Sequence, residues 1–301
     1  MPAEFGRLLT AIVTPMTASG EVDERACAEL ALALVESGTE GLVVAGTTGE
    51  GPTLSGEEKL RLWQAVKQAV GPDVAVIAGA TGNDTARSIE LSLEAERAGC
   101  DGLLLTVPAY NKPTQEGLVR HFSAIAEATS LPGLLYNVPS RTSLNMTAET
   151  TVRLSQLPNI VGVKEASGDL AQIGRIIAGA APGFRVWSGN DGDTLPVLGL
   201  GGYGAVSVAA HLVGRQLREM ISACVAGSNG RAAEFHRRLA PLIEVLFVES
   251  NPIPVKFALN ELGFPAGEPR LPLTPPSVAA AERIRAELAR QQIDLTVAVD
   301  G

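Results

Sequence analysis

Apolar residues in this chain gather into two kinds of segment that take turns. Residues 8–13, 41–45, 74–78, 102–106, 133–136, 160–164, 185–188 and 204–208 are short and largely apolar, without the polar alternation of a sheet that faces water on one side. Runs of this length, set between Gly, Pro, Asn and Ser, read as strands buried on both faces. Segments 24–35, 55–70, 84–98, 114–128, 148–157, 170–178, 191–200 and 213–225 read as the helices between them, with apolar residues at helical spacing. Ser55 stands three residues ahead of Glu58, a pair in which each side chain takes the other's backbone N–H, and it predicts the start of the second helix. Ser37-Gly38 predicts the end of the first.

Strict alternation of strand and helix predicts a parallel sheet, because each helix carries the chain back to the same end. Eight such units within about 225 residues fit a closed barrel better than an open sheet. An open dinucleotide-binding sheet would carry GxGxxG after its first strand, where this chain has Thr14-Pro15-Met16, and no GxxxxGK[ST] phosphate loop occurs. The expected fold class is α/β, a (β/α)8 TIM barrel over residues 1–226. Past Ala226-Gly227-Ser228-Asn229-Gly230 the alternation stops, and 231–247, 253–261 and 277–292 all read as helix. Residues 227–301 are therefore expected as a C-terminal helical appendage, frayed at its last residues.

Composition narrows the chemistry mainly by exclusion. The 301 residues carry a net charge of −9 and no run of Lys or Arg, so neither nucleic acid nor a membrane is expected as a partner. No apolar run approaches the ~18 residues that cross a bilayer. The start, Met-Pro-Ala-Glu-Phe-Gly-Arg, lacks the pattern of a secretory signal, and a cytoplasmic protein is expected. Cys27, Cys100 and Cys224 are odd in number, with no CxxC pair, and read as free thiols. His121, His211 and His236 share no ligand spacing and are expected on helix surfaces or in loops, with no metal site.

In a barrel of this type the reacting groups sit at the carboxyl ends of the strands. The run 160–164 ends in Lys164, where the pattern would otherwise keep side chains out of water. A buried lysine is either paired with a carboxylate or held neutral, and a neutral amine in a dry pocket is a nucleophile toward carbonyl carbon. Tyr136 ends the preceding run and falls about 4.8 Å away across the sheet, close enough to exchange a proton directly or through one water. Glu165, next to the lysine, reads as a strand-end ion-pair partner rather than a base. Arg141 offers a planar fork for one carboxylate, and the glycine-flanked Thr47-Thr48 turn offers N–H and hydroxyl donors for another. Taken singly, Tyr136 could be core packing, Arg141 a surface charge and Thr47-Thr48 a plain turn. Together, each at a strand end, they describe a Schiff-base site for 2-oxo acids.

Gly46-Thr47-Thr48-Gly49-Glu50, Tyr136-Asn137-Val138-Pro139-Ser140-Arg141-Thr142 and Val163-Lys164-Glu165-Ala166 resemble the dihydrodipicolinate synthases, also called 4-hydroxy-tetrahydrodipicolinate synthases. Segments 110–117, 251–256 and 271–275 fit the same family, and the resemblance covers about residues 8–290. It implies condensation of pyruvate with L-aspartate-4-semialdehyde in lysine and diaminopimelate synthesis, with no metal or organic cofactor. By this resemblance Lys164 forms the imine, and Tyr136 moves protons through Thr47 and the partner subunit's Tyr110. Thr48 holds the pyruvate carboxylate, Gly189 and Val206 line its pocket, and Arg141 takes the carboxylate of the semialdehyde. The assembly implied is a homotetramer, a dimer of tight dimers.

Two alternatives stay open. One is a related lyase acting on N-acetylneuraminate or a 2-keto-3-deoxy sugar acid, the other a silent 2-oxo-acid-binding paralogue. Lysine-inhibited members of the family carry a histidine where this chain has Gly56, a glutamate where it has Arg87 and a tyrosine where it has Ala109. Asn83 is retained, and Lys59 adds positive charge nearby. Little or no inhibition by lysine is expected.

Overall fold

The computed structural model describes residues 5–296, and in it strands and helices alternate in the expected order. β1 (Leu8–Ala11) is followed by α1 (Glu24–Glu36), β2 (Gly41–Val44) by α2 (Gly56–Val70), β3 (Ala75–Gly79) by α3 (Thr85–Arg97), and β4 (Gly102–Thr106) by α4 (Gln115–Ala128). β5 (Gly133–Asn137) leads through one turn, α5 (Pro139–Thr142), to α6 (Ala148–Leu154). β6 (Ile160–Glu165) precedes α7 (Leu170–Gly179), β7 (Arg185–Ser188) precedes α8 (Thr194–Gly199), and β8 (Gly204–Ser207) precedes α9 (Ala210–Val225). All neighbouring strands are parallel and β8 closes on β1, which is the (β/α)8 barrel the pattern predicts. After it come α10 (Asn229–Val245), α11 (Ile253–Glu261) and α12 (Val278–Leu288).

Two apolar layers explain why the strands lack alternation. Leu9, Ile77, Leu104, Leu134 and Val206 fill the inside of the barrel, while the opposite faces of the same strands pack on the helices through residues such as Leu42, Val76 and Val163. Trp187 and Phe5 plug the amino-terminal end, with Trp187 Nε1 donating to the Gly6 carbonyl at 2.9 Å. Leu239, Leu242, Val255, Leu259 and Ile284 of the last three helices join the outer layer, so this region shares the barrel's core.

Several boundaries differ from expectation, and each difference has a hydrogen-bonding or backbone feature beside it. β1 stops short of Val13 because the Val13 N–H goes to His211 Nε2 at 3.1 Å. β5 and β6 each run one polar residue further than expected, since Asn137 and Glu165 bond each other. The loop expected after β5 contains the turn α5, closed by the Thr142 N–H on the Val138 carbonyl at 3.1 Å. The helix expected at 191–200 begins as a 3-10 turn, Asp191–Asp193. α9 starts at Ala210 but breaks at Val213, and the freed Gln216 N–H is taken by Asp294 at 3.0 Å. Ser55 and Glu58 form both halves of the expected capping box.

The histidines correct one expectation: His121 and His211 are buried. His211 is satisfied on both sides, Nδ1 donating to the Val208 carbonyl at 2.8 Å while Nε2 accepts from Val13. Burial, against the pull of that carbonyl, pushes it down to about 4, so the ring is neutral. Cys27 and Cys100 are buried free thiols pushed up to about 12, chiefly by burial, and Cys224 is free and half-buried. Among the described residues no helix is long and apolar enough to cross a membrane. The expected fraying falls on residues 297–301, outside the described residues.

Candidate active site

Strand register builds the floor of the site. Tyr136 on β5 stands opposite Lys164 on β6, and Lys164 stands opposite Trp187 on β7. Side chains alternate in a strand, so all three point inward. Lys164 is 5% exposed, and its Nζ lies 4.3 Å from the centroid of the Tyr136 ring. Among the described residues the amine has no hydrogen-bond or ion-pair partner; its polar neighbour is the face of that ring. Glu165, one residue on, points to the other side. Its partners are the neutral Asn137 amide at 3.0 and 3.1 Å and the Ser167 N–H at 2.8 Å, which corrects the expected ion pair. Burial raises its carboxyl above the usual range against those hydrogen bonds.

Glycine is required beside the lysine. A Cβ on Gly189 would stand 2.7 Å from the Ala166 Cβ and 3.1 Å from the Lys164 Cγ. Its absence leaves open the space next to the lysine stem, and the buried Val206 packs in the same inner layer. Just past β7 comes Asp191, which sequence reasoning gave no role. Its carboxylate accepts from the Ser207 hydroxyl and from the Val208 and Ala209 N–H groups at 2.9 and 3.0 Å. Burial raises its carboxyl, opposed by these donors and by the Lys164 charge. Asp191 is thus engaged by Ser207 and two backbone N–H groups and makes no hydrogen bond or ion pair with Lys164.

The turn after β2 carries Thr47 and Thr48. It lies so close to β3 that a Cβ on Gly79 would fall 2.3 Å from the Ala45 carbonyl, a contact only glycine permits. Thr47 is half-buried, and neither its hydroxyl nor that of Tyr136 has a hydrogen-bond partner among the described residues. The buried Thr48 Oγ1 accepts from Asn251 Nδ2 at 2.9 Å. That leaves the Thr48 hydroxyl hydrogen free to donate to a ligand.

This turn is held from the far end of the chain. Glu50 and Lys256 form a fully buried ion pair at 2.8 Å. Lys256 Nζ also donates to the Thr14 and Glu268 carbonyls, each at 3.0 Å, and Glu50 Oε2 accepts from the Arg270 N–H at 2.7 Å. Burial pushes the Lys256 ammonium below the usual lysine range while Glu50 pulls the other way. Asn251 meets the barrel twice, through Thr48 and through its own carbonyl, which accepts from Arg141 Nη2 at 3.1 Å. Sequence reasoning placed Lys256 on a helix but missed its burial. The signal was present: Ile253, Val255, Phe257, Ala258 and Leu259 make α11 apolar nearly all round, which marks a buried helix.

Arg141 is exposed at the rim, on α5. Tyr110 is not brought to the floor within one chain. It is 92% exposed at φ +70°, on a loop pinned by Asn83, whose Oδ1 accepts from the Ala109 N–H at 2.9 Å. Among the described residues no group of three or more His, Cys, Asp or Glu is placed to hold a metal ion.

Comparison with known proteins agrees with this geometry along the whole barrel. Residues 4–291 match the model of the dihydrodipicolinate synthetase family. A 4-hydroxy-tetrahydrodipicolinate synthase of Symbiobacterium thermophilum is 58% identical over 286 residues, covering 95% of this chain and 97% of the relative. The enzyme of that name from Dehalococcoides mccartyi strain 195 is 56% identical over 294 residues, covering 98% and 99%. Among solved structures, a Cyanidioschyzon merolae enzyme of this family, with lysine bound, superposes with a TM-score of 0.93 at 47% identity, covering 95% of this chain and 97% of that one. The chain belongs to the dihydrodipicolinate synthetase family.

Proposed function

We propose that this protein is a lyase-class synthase that condenses pyruvate with L-aspartate-4-semialdehyde to give 4-hydroxy-tetrahydrodipicolinate in lysine and diaminopimelate synthesis. The observation that carries this reading is Lys164: a buried amine without a polar partner, in register with a phenol. Its nitrogen attacks C2 of pyruvate and water leaves, giving an imine. Protonated, the imine is an electron sink, so the pyruvate methyl loses a proton and becomes an enamine carbon. That carbon attacks the aldehyde. The amino group of the semialdehyde portion then attacks the imine carbon, closing the ring and releasing Lys164.

Tyr136 gives and takes the protons of these steps, relayed through Thr47 and the partner subunit's Tyr110. The exposure of Tyr110 at positive φ supports its reaching outward to a neighbouring chain in a homotetramer. Thr48 receives the pyruvate carboxylate with the hydrogen that Asn251 leaves free, and Gly189 and Val206 bound that pocket. Arg141 takes the carboxylate of the semialdehyde at the rim. Residues 1–226 carry the reacting groups, and from the C-terminal helical region, residues 227–301, Asn251, Lys256 and Arg270 brace the turn that holds Thr48. The free thiols suit the cytoplasm.

Borohydride added with pyruvate is expected to fix a mass on the peptide bearing Lys164, and Lys164→Ala to abolish it. With both substrates, the product should form only while Lys164 is present. Label on Lys256 instead would overturn the assignment.

A further inference from the structure

The strand that carries Lys164 does not alternate throughout. Ile160, at the start of β6, packs outward with the helices, and strict alternation from there would turn Lys164 outward as well. Two consecutive positions face inward instead. Val161 packs on the inner layer, and a Cβ on Gly162 would fall 2.5 Å from the Trp187 ring of that same layer. Val163 faces out again, and Lys164 therefore comes to lie inside, beside Tyr136. Pairing with β5 records the same step: Gly133 stands opposite Ile160, but Leu134 stands opposite Gly162. This is a bulge, one extra residue on β6, and it brings the amine to the inside of the barrel.

A slip of one residue exchanges the two faces of a strand, so the register past the bulge has to be fixed by something else. Undoing the bulge would set Val163 opposite Tyr136 and turn Lys164 toward the helices. Asn137 and Glu165, the pair that follows Tyr136 and Lys164 in the ladder, oppose such a slip. Both are buried. Asn137 Nδ2 donates to the two carboxyl oxygens at 3.0 and 3.1 Å, and Glu165 Oε1 also accepts from the Ser167 N–H at 2.8 Å. Asn137 is fixed in turn, its Oδ1 accepting from the Met146 N–H at 3.0 Å and its Nδ2 donating to Asn145 Oδ1 at 2.8 Å. Among the described residues no cation pairs with Glu165. A buried polar network whose members are all satisfied rigidifies its surroundings and specifies one arrangement.

We propose that Glu165, gripped by Asn137, is a positioning residue of the condensation: the pair holds β6 in its bulged register and so keeps the Lys164 amine inside the barrel, opposite Tyr136. The inference rests on the imine-forming role proposed for Lys164. Glu165 itself touches no substrate.

The test is the rate at which borohydride with pyruvate fixes mass on Lys164, measured beside kcat, KM and Tm for variants of the full-length protein. Glu165→Met keeps most of the volume and removes both acceptors. It should slow trapping and lower kcat by about ten- to hundredfold per folded molecule, as misplacement of a reacting group does. KM for L-aspartate-4-semialdehyde should not rise. Glu165→Gln keeps one oxygen for Asn137 and Ser167 and should recover most of the rate. Asn137→Leu should slow trapping as Glu165→Met does, and the double variant should lose no more than the greater single loss, because both remove one clamp. If Glu165→Met does not fold, Glu165→Asp carries the test: the charge stays, but the carboxylate is one methylene short of Asn137, and trapping must still slow. Trapping at the parental rate in the variant that carries the test would overturn the proposal even where Tm falls, for the pair would then hold the fold and not the amine. So would losses that multiply in the double variant. A parent protein that traps no pyruvate at all would instead remove the proposed function, and this inference with it.

Discussion

Lys164 and Lys256 are both buried in one barrel, and their surroundings are opposites. Lys256 is enclosed by a carboxylate and two carbonyls within 3.0 Å, so every hydrogen of its ammonium has an acceptor. Lys164 faces an aromatic ring and open space, and the carboxyl group of Asp191 is turned toward the Ser207 hydroxyl and backbone N–H groups instead. A saturated ammonium has no reason to give up its proton or its place, and it serves as a fastening. An unsaturated one keeps its nitrogen available. Burial alone therefore does not mark a reactive lysine; the difference lies in what the burial leaves unpaired.

Exchanging each lysine for methionine should separate the two most sharply. Lys164→Met should fold and lose imine trapping and synthesis altogether, with Tm no lower than that of the parent. Lys256→Met strands the buried Glu50, a change that costs about 3–5 kcal/mol. Tm should fall steeply, while pyruvate still labels Lys164 in the protein that remains folded. Adding Glu50→Gln should restore part of that Tm. If Lys256→Met left Tm unchanged, the fastening role would be wrong.

Tyr136→Phe tests the reactive side without touching the packed one. The ring stays against Lys164 and only the proton-transferring group is lost, so kcat should drop by about 10²–10⁴-fold at unchanged Tm. Activity within a few-fold of the parent would make Tyr136 mere packing.

His211 extends the saturated class to a titrating group. Its folded value of about 4 lies below the ordinary 6.5, so the unfolded chain binds the proton first as pH falls. Its contribution is complete above about pH 6.5 and is lost between there and about pH 4, by roughly 3 kcal/mol. His211→Gln should flatten the dependence of denaturant midpoint on pH across that window. An unchanged slope would show that the ring titrates normally.

The smallest effect belongs to the rim. Arg141→Ala should raise KM for L-aspartate-4-semialdehyde by the equivalent of about 1.5–3 kcal/mol, as loss of a charged hydrogen bond does. Pyruvate should still form the imine. A variant that loses pyruvate instead would move Arg141 to the other carboxylate.

The barrel is legible in the sequence because strands covered on both faces must be apolar along their length. Once eight are counted, geometry places the polar residues that follow them at one end. Lys164, Tyr136 and Thr48 could be picked out for that reason. The bracing could not be seen in the same way. Glu50 and Lys256 are 206 residues apart, and no local spacing ties a carboxylate in a βα turn to a lysine on a late helix. Asp191 was hidden differently, since its partners are mostly backbone N–H groups, which every residue but proline offers.

The distance between Glu50 and Lys256 also sets a schedule. At ribosomal rates of about 5–20 residues per second, roughly 10–40 s separate the synthesis of the two. Only after Lys164 has been made, with fewer than half of those residues still to come, does the nascent chain hold the amine and the phenol of the proposed reaction, and until Lys256 follows Glu50 lacks its ion-pair partner. The bracing of the turn after β2 is complete only with the last fifth of the polypeptide, so under the proposed mechanism a prematurely released chain would carry Lys164 without the Asn251, Lys256 and Arg270 contacts that hold the carboxylate-binding turn.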